Sequence, residues 1–233
     1  MRRLSLVRPK WPGRPVESDR ASRAAPDPAP PIVVPELRDY QQINAELVRR
    51  LNLGAWHVRL EGVDGQRLLV SRIAGAWRAL IEVDGNAGPE LAAELDAPDL
   101  TVVCRGSAAD GAGRGLAAGR LFIGGEAGAA IGYFQRGGLI VAVGDVGPRA
   151  GLDQLGGDLV LLDKVGALAG ERQAGGRLFF KQGRIGPHAG HGRRAGRLIA
   201  LPSERPLAAD LDQDDYRLIE AALRLANCFF PPA

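Results

Sequence analysis

The sequence predicts an all-β fold, a solenoid of about seven stacked turns. Glycines recur in three columns that stay in register at intervals of 19 or 20 residues. The columns contain Gly132, Gly151, Gly170 and Gly190; Gly119, Gly138, Gly157, Gly176 and Gly196; and Ala109, Gly128, Gly147, Gly166 and Gly186. Three columns in register indicate one supersecondary unit repeated in space, and a period near 20 residues is typical of a solenoid.

Composition agrees with a thin, regular solenoid. Of the 233 residues 45% are apolar and only 5% aromatic, while 32 are glycine, so the core is expected to consist of Leu, Val, Ile and Ala. The 30 basic and 27 acidic residues nearly balance, which gives no general argument for nucleic-acid binding. Cys104 and Cys228 lie far apart, which predicts a reducing, cytoplasmic setting. No apolar run reaches about 18 residues, so we expect no membrane partner.

Three regions are predicted. Residues 1–36 are rich in Pro and Arg and read as an extended arm, 37–200 as the repeat domain, and 201–233 as a linker and an amphipathic helix. Two interpretations of the arm remain open. It is either a tail without a role or an arm that orders against a partner subunit, with Trp11 as an anchor.

Helices are expected at both ends of the repeat domain. Asp39 can cap a helix that places Ile43, Leu47 and Leu51 on one face and stops at Gly54. A second amphipathic segment, Asp214–Asn227, is expected to cover the other end of the solenoid or to pack along its side.

Short strands are expected between the glycine corners. They are His57–Leu60, Arg67–Val70, Ala79–Val83, Leu100–Cys104, Arg120–Ile123, Leu139–Val143, Asp158–Leu162, Arg177–Phe180 and Arg197–Ala200. Side-chain alternation along a strand places every second residue outside. The outward column is nevertheless apolar and contains Phe122, Val141, Val160, Phe179 and Ile199. An apolar outer stripe has to be covered, either by the C-terminal helix or by a larger partner, which makes these five residues candidates for a partner interface.

Three motifs could carry chemistry, and each has a plainer explanation. Gly111–Gly115 resembles a nucleotide loop but lacks the lysine and hydroxyl of a P-loop. His188 and His191 could hold a metal, although no third ligand lies close in sequence, and solvated histidines are the alternative. Cys104 beside Arg105 could be a reactive thiol, although a lone strand cysteine is more often buried.

Corner loops also carry a set of arginines, namely Arg136, Arg149, Arg172, Arg193 and Arg194. They form either a solvated surface or a basic edge that contacts a partner or an anionic ligand.

The repeats resemble the glycine-repeat family that forms the C-terminal β-helix domain of the glutamate synthase large subunit and recurs as a separate chain of formylmethanofuran dehydrogenase. The match is carried by Ala127–Gly132 with Gly137–Gly138, Val146–Gly151 with Gly156–Gly157, and Val165–Gly170 with Gly175–Gly176, and it covers roughly residues 37–200. The resemblance implies a right-handed parallel β-helix. The entry segment, Tyr40–Asn44 followed by Gly65–Arg67, looks more like the glutamate synthase branch.

The resemblance implies a structural subunit that holds catalytic subunits together. We expect no catalytic, cofactor-binding or metal-binding residues in this chain, with FMN and iron–sulfur centres confined to partner subunits. The first prediction is therefore an assembly subunit of a glutamate synthase-like or N-methylglutamate synthase-like complex. The alternative is the glycine-repeat subunit of a formylmethanofuran dehydrogenase or formyltransferase–hydrolase complex. Two other classes stay open: a self-contained enzyme at His188 and His191, and a solenoid that binds a polyanion.

Overall fold

The computed structural model describes residues 30–34, 39–202 and 211–231. Within them a single sheet contains nine parallel strands, stacked in chain order. The elements are β1 (Ile32–Val33), α1 (Tyr40–Asn52), β2 (His57–Asp64), β3 (Ala79–Asn86), β4 (Asp96–Cys104), β5 (Ala118–Ile123), β6 (Leu139–Ala142), β7 (Asp158–Leu161), β8 (Ala174–Lys181), β9 (Ala195–Leu201) and α2 (Gln213–Phe229). The predicted all-β solenoid is confirmed, and we call each full turn of it a coil.

The repeat period sets the register of the strands. Leu121 pairs with Ile140, Ile140 with Leu159, and Leu159 with Leu178, so each strand stacks on a copy of itself one period away. All of these side chains are fully buried in one continuous core. Because parallel stacking satisfies the backbone groups of inner coils, only the two ends of the rod leave a strand edge open.

One corner of each coil contains alternating left-handed residues. In each of seven coils three residues, spaced two apart, have φ between +49° and +75°. They are Leu68, Val70 and Arg72; Glu90, Ala92 and Glu94; Gly111, Gly113 and Gly115; Ala130, Gly132 and Phe134; Arg149, Gly151 and Asp153; Leu168, Gly170 and Arg172; and His188, Gly190 and Gly192. The strand predicted at Arg67–Val70 is therefore wrong: this segment is the left-handed corner of the first coil, and its non-glycine residues concealed it.

These corners are joined by hydrogen bonds of fixed direction. The first and third left-handed residues donate to the following coil, as Leu168 N does to Pro187 O (2.9 Å) and Arg172 N to His191 O (2.8 Å). The middle residue donates to the preceding coil, as Gly170 N does to Ala150 O (2.7 Å). A residue other than glycine in the left-handed conformation costs about 1 kcal/mol, and the hydrogen bonds between coils offset this cost.

A second glycine column is required by close packing between coils. A Cβ atom on Gly166 would lie 2.6 Å from Pro148 N and 2.7 Å from Gly147 C, which are backbone atoms that cannot move away. The repeat therefore needs glycine at this position because there is no space for a side chain. In the column of Gly132, Gly151, Gly170 and Gly190, glycine is favoured for a different reason, since the backbone there has a left-handed φ.

Helix α1 lies against the first coil as predicted. Asp39 caps it by accepting a hydrogen bond from Gln41 N (3.1 Å), and Ile43, Leu47 and Leu51 are buried. The side chain of Asn44 donates to Leu68 O (2.9 Å) and accepts from Val70 N (2.8 Å), so α1 provides the bonds that a preceding coil would otherwise supply.

Candidate functional site

The apolar outer stripe lies beneath α2. Four of its residues are fully buried and Ile199 is 6% exposed; they pack against Ile219, Ala222 and Ala226 of the helix. The ring of Phe122 meets that of Phe229 edge-on, with centroids 5.1 Å apart. Of the two sequence interpretations, the structure therefore has the helix covering the stripe. The candidate interface residues are covered by α2 in this chain, and a partner could contact them only if α2 moved away. They are Phe122, Val141, Val160, Phe179 and Ile199.

Charged residues hold the start of α2 in place. Asp212 caps the helix through hydrogen bonds from Asp214 N (3.0 Å) and Asp215 N (2.8 Å). One turn inside, the fully buried carboxylate of Asp215 lies between Arg177 and Arg197 of strands β8 and β9. The helix therefore begins on the last two coils and runs back along the sheet.

The end of α2 is held by a second polar cluster. Arg105 donates to the carbonyl of Phe229 and also pairs with Glu82. The other carboxylate oxygen of Glu82 lies 2.7 Å from His57 Nε2. Burial alone would raise the pKa of Glu82, but the hydrogen bonds from Arg105 and His57 outweigh it, and the pKa lies below its usual value. Both carboxylate oxygens of Glu82 are therefore hydrogen-bonded, and the cluster holds Arg105 in contact with the end of α2.

The glycine loop and the cysteine have structural roles. Gly111, Gly113 and Gly115 form a left-handed corner, and their N–H groups donate to carbonyls of neighbouring coils at 2.7–2.9 Å. The amides that a phosphate would need are thus already used. Cys104 is fully buried with Sγ 3.4 Å from Ser107 O, and burial raises the pKa of its thiol, which makes it a poor nucleophile.

The two candidate metal-binding histidines lie on an exposed corner. His188 and His191 belong to the last coil, where His191 N donates to His188 O at 3.1 Å. Within the described residues, no three His, Cys, Asp or Glu side chains come together as metal ligands would. Trp11, the proposed anchor of the arm, lies outside the described residues.

A column of glutamines inside the solenoid escaped the sequence analysis. Gln135, Gln154 and Gln173 are fully buried. The amide of Gln154 donates to Gln135 Oε1 (3.2 Å), and that of Gln173 donates to Gln154 Oε1 (2.9 Å). Gln173 Oε1 has no hydrogen-bond partner among the described residues, and Arg193 occupies the next position of the column. The 19-residue spacing of the glutamines was the signal that could have revealed the ladder.

The last coil differs from the inner coils in being exposed and basic. The chain contains no Asp or Glu between Arg172 and Ser203. Arg184 and Arg197 reach carboxylates elsewhere in the chain, at 2.6 Å and 2.9 Å. Lys181 and Arg193 form no ion pair with any described residue. Arg194 adds, after Arg172, to the positive field that lowers the pKa of Asp153. The end of the rod therefore carries positive charge, at Lys181 and Arg193, that no described carboxylate contacts.

Comparisons with known proteins give a likeness of fold. No protein-family model matches the chain, and no curated protein matches it. A similar solved structure is that of the formyltransferase/hydrolase complex (FhcABCD) from Methylorubrum extorquens in complex with methylofuran. The likeness covers 76% of this chain and 71% of that chain, with a TM-score of 0.53 and 24% sequence identity. None of the described helices has the length and apolar character needed to span a bilayer. At this identity the likeness concerns the solenoid fold alone.

Proposed function

We propose that this chain is a structural subunit of a multi-subunit complex of the formyltransferase/hydrolase type in one-carbon metabolism. Its role is to hold catalytic subunits in a fixed arrangement, and the reaction itself takes place in those other chains.

One observation carries the proposal, namely the likeness of fold to a chain of the formyltransferase/hydrolase complex. It extends over 76% of this chain and therefore covers most of the solenoid. From that complex we transfer only membership of a multi-subunit assembly, and we do not transfer its ligand, methylofuran. The likeness favours this assignment over a glutamate synthase-like complex, which was the first expectation from the sequence.

The physical properties of the solenoid suit such a role. Nine strands spaced about 4.8 Å apart make a rod roughly 40 Å long. Ion pairs join neighbouring coils on its surface, including Arg172 with Asp153 (2.6 Å) and Arg114 with Glu94 (2.9 Å). A stiff spacer is useful because a group that passes between two active sites has to be positioned accurately at each.

Co-purification from the native cells tests the proposal. The tagged full chain is isolated, its companions are identified and counted by mass spectrometry, and formyl transfer and hydrolysis are assayed in the purified material. We expect formyltransferase and hydrolase chains in fixed stoichiometry, and activity in the complex but not in the isolated chain. An untagged strain controls for adventitious capture.

Two results would contradict the proposal. Co-purification of a flavoprotein and an amidotransferase chain would support a glutamate synthase-like complex instead. A chain without stoichiometric companions, or one that turns over substrate alone, would rule out an assembly subunit.

A further inference from the structure

The two ends of the solenoid are unequal. At the start of the rod α1 supplies hydrogen bonds to the first corner, through Asn44. At the other end β9 is the last strand of the sheet, and α2 lies on the side of the rod rather than across this end. We call residues 181–201 the terminal coil, and no described element lies across this end of the solenoid.

Backbone groups of the terminal coil lack the partners that equivalent groups have elsewhere. In the coil before it, the N–H groups of Val165, Leu168 and Arg172 all donate forward, at 2.8 to 2.9 Å. The equivalent donors of the terminal coil are Ile185, His188 and Gly192, and none has an acceptor among the described residues. Such a row of free donors is a template for another extended chain.

The apolar interior is exposed at the same place. Leu178 and Ala169 are fully buried in the coil before it, whereas the equivalent Leu198 is half-buried and Ala189 exposed. A segment that covers this end should therefore place apolar side chains over Leu198 and Ala189.

The charges of the terminal coil specify the complementary partner. Between inner coils a basic side chain can meet a carboxylate of the following coil, as Arg149 meets Glu171 (3.2 Å). Lys181 and Arg193 would meet their carboxylates in the layer beyond, which this chain's described residues do not contain. The terminal coil of a second copy would bring like charges together, so charge complementarity favours an acidic partner.

We propose that the terminal coil is a docking surface at which an extended, acidic segment of a partner protein lies along residues 185–192 and accepts hydrogen bonds from the N–H groups of Ile185, His188 and Gly192. The segment alternates apolar residues, which cover Leu198 and Ala189, with carboxylates, which pair with Lys181 and Arg193. The proposal rests on the proposed function in one respect, since it identifies the surface by which this subunit holds another.

A defined peptide probe tests this surface on the purified full chain. The probe is a blocked peptide of about eight residues, the length of β8, in which Val and Thr alternate with Glu; a second peptide carries Lys in place of Glu. Binding is measured by fluorescence anisotropy and backbone protection by amide hydrogen exchange. We expect the acidic peptide alone to bind, less tightly as ionic strength rises, and to protect the amides of Ile185, His188 and Gly192.

Charge reversal provides the matched variants. The double variant K181E/R193E is expected to bind the acidic peptide about tenfold more weakly, because two charge pairs are lost. The control R67E/R217E changes the same number of exposed basic residues, one at the first coil and one on α2, and should bind as the natural chain does. If K181E/R193E folds poorly, K181Q/R193Q takes its place with the same expectation in direction.

Three outcomes would overturn the proposal. If the acidic and basic peptides bind equally, or if neither binds, the basic side chains do not recognise a partner and instead keep other chains from pairing with the open edge. Amides of the terminal coil that are already protected in the free chain would show that the linker 203–210 occupies the end. A single-stranded oligonucleotide that competes and binds more tightly would indicate a polyanion site. The peptide assay does not require the native complex. If the chain binds the peptide but is purified from its native cells without companion chains, only the proposed function is contradicted.

Discussion

Asp215 of α2 is completely buried, and its carboxylate Oδ1 lies 3.0 Å from Nη1 of Arg177 on β8. The two residues are 38 positions apart. Arg177 also binds Asp158 at 2.6 Å, and its guanidinium lies over the ring of Phe179, 5.7 Å from the centroid. One arginine therefore links two coils, the apolar stripe and the helix that covers it.

Removal of the buried carboxylate should loosen α2. We expect Asp215→Ala to lower the free energy of unfolding by about 3 kcal/mol, since breaking a buried pair leaves arginines without their partner. Urea denaturation followed by circular dichroism measures the change. The matched control is Asp214→Ala in the same helical turn, whose side chain is 83% exposed. Equal effects of the two substitutions would show that the buried pair does not anchor the helix.

Truncation of the stripe should destabilise the chain by itself. Phe179 is fully buried beneath α2, so Phe179→Ala is expected to cost about 3–5 kcal/mol through lost burial and the cavity left behind. Phe134→Ala, at an exposed ring on another face, should change stability by less than about 1 kcal/mol. Thermal unfolding of the purified chains provides the comparison. A fully stable Phe179→Ala chain would mean that α2 does not rest on the stripe in solution.

The two glycine requirements can be separated by substitution. Gly166→Ala places a Cβ against backbone atoms of the preceding coil, and we expect a loss of about 3 kcal/mol from the forced separation of coils. Gly183→Ala, where φ is +75° and no atom lies within 4 Å, should cost only about 1 kcal/mol of backbone strain. Guanidinium denaturation of both variants tests the order. A reversed order would contradict the close approach of these coils.

Acid should weaken the anchor at the end of α2. The pKa of Glu82 is lower in the folded chain than in the unfolded one, so its contribution is present above the unfolded pKa, near 4.5, and is lost as pH falls through the folded pKa. We therefore expect Glu82→Gln to destabilise the chain at neutral pH and to leave it unchanged in strong acid. Urea denaturation midpoints of the natural chain and of Glu82→Gln, measured from neutral pH to strong acid, test this expectation. A stability difference independent of pH would indicate that ionisation of Glu82 does not hold Arg105 against Phe229.

Much of the fold follows from residues that repeat locally. The 19-residue period determined the strand register, because each strand has to stack on its own copy to bury the same inward column, such as Leu121, Ile140 and Leu159. Helix α1 could also be predicted from the sequence, since its capping residue and its buried face lie within 13 residues. The sequence also marked the outer stripe as a surface in need of cover.

Tertiary structure alone decided what covers that stripe and which groups act together. Alternation reports which side of a strand a residue faces but not which distant segment lies on that side, so the placement of α2 became visible only with Asp215 between Arg177 and Arg197. The corner at Leu68–Arg72 was hidden because its left-handed residues are not glycines, and inter-coil hydrogen bonds impose that conformation. Long-range contacts of this kind depend on the three-dimensional path of the chain, which local patterns do not encode.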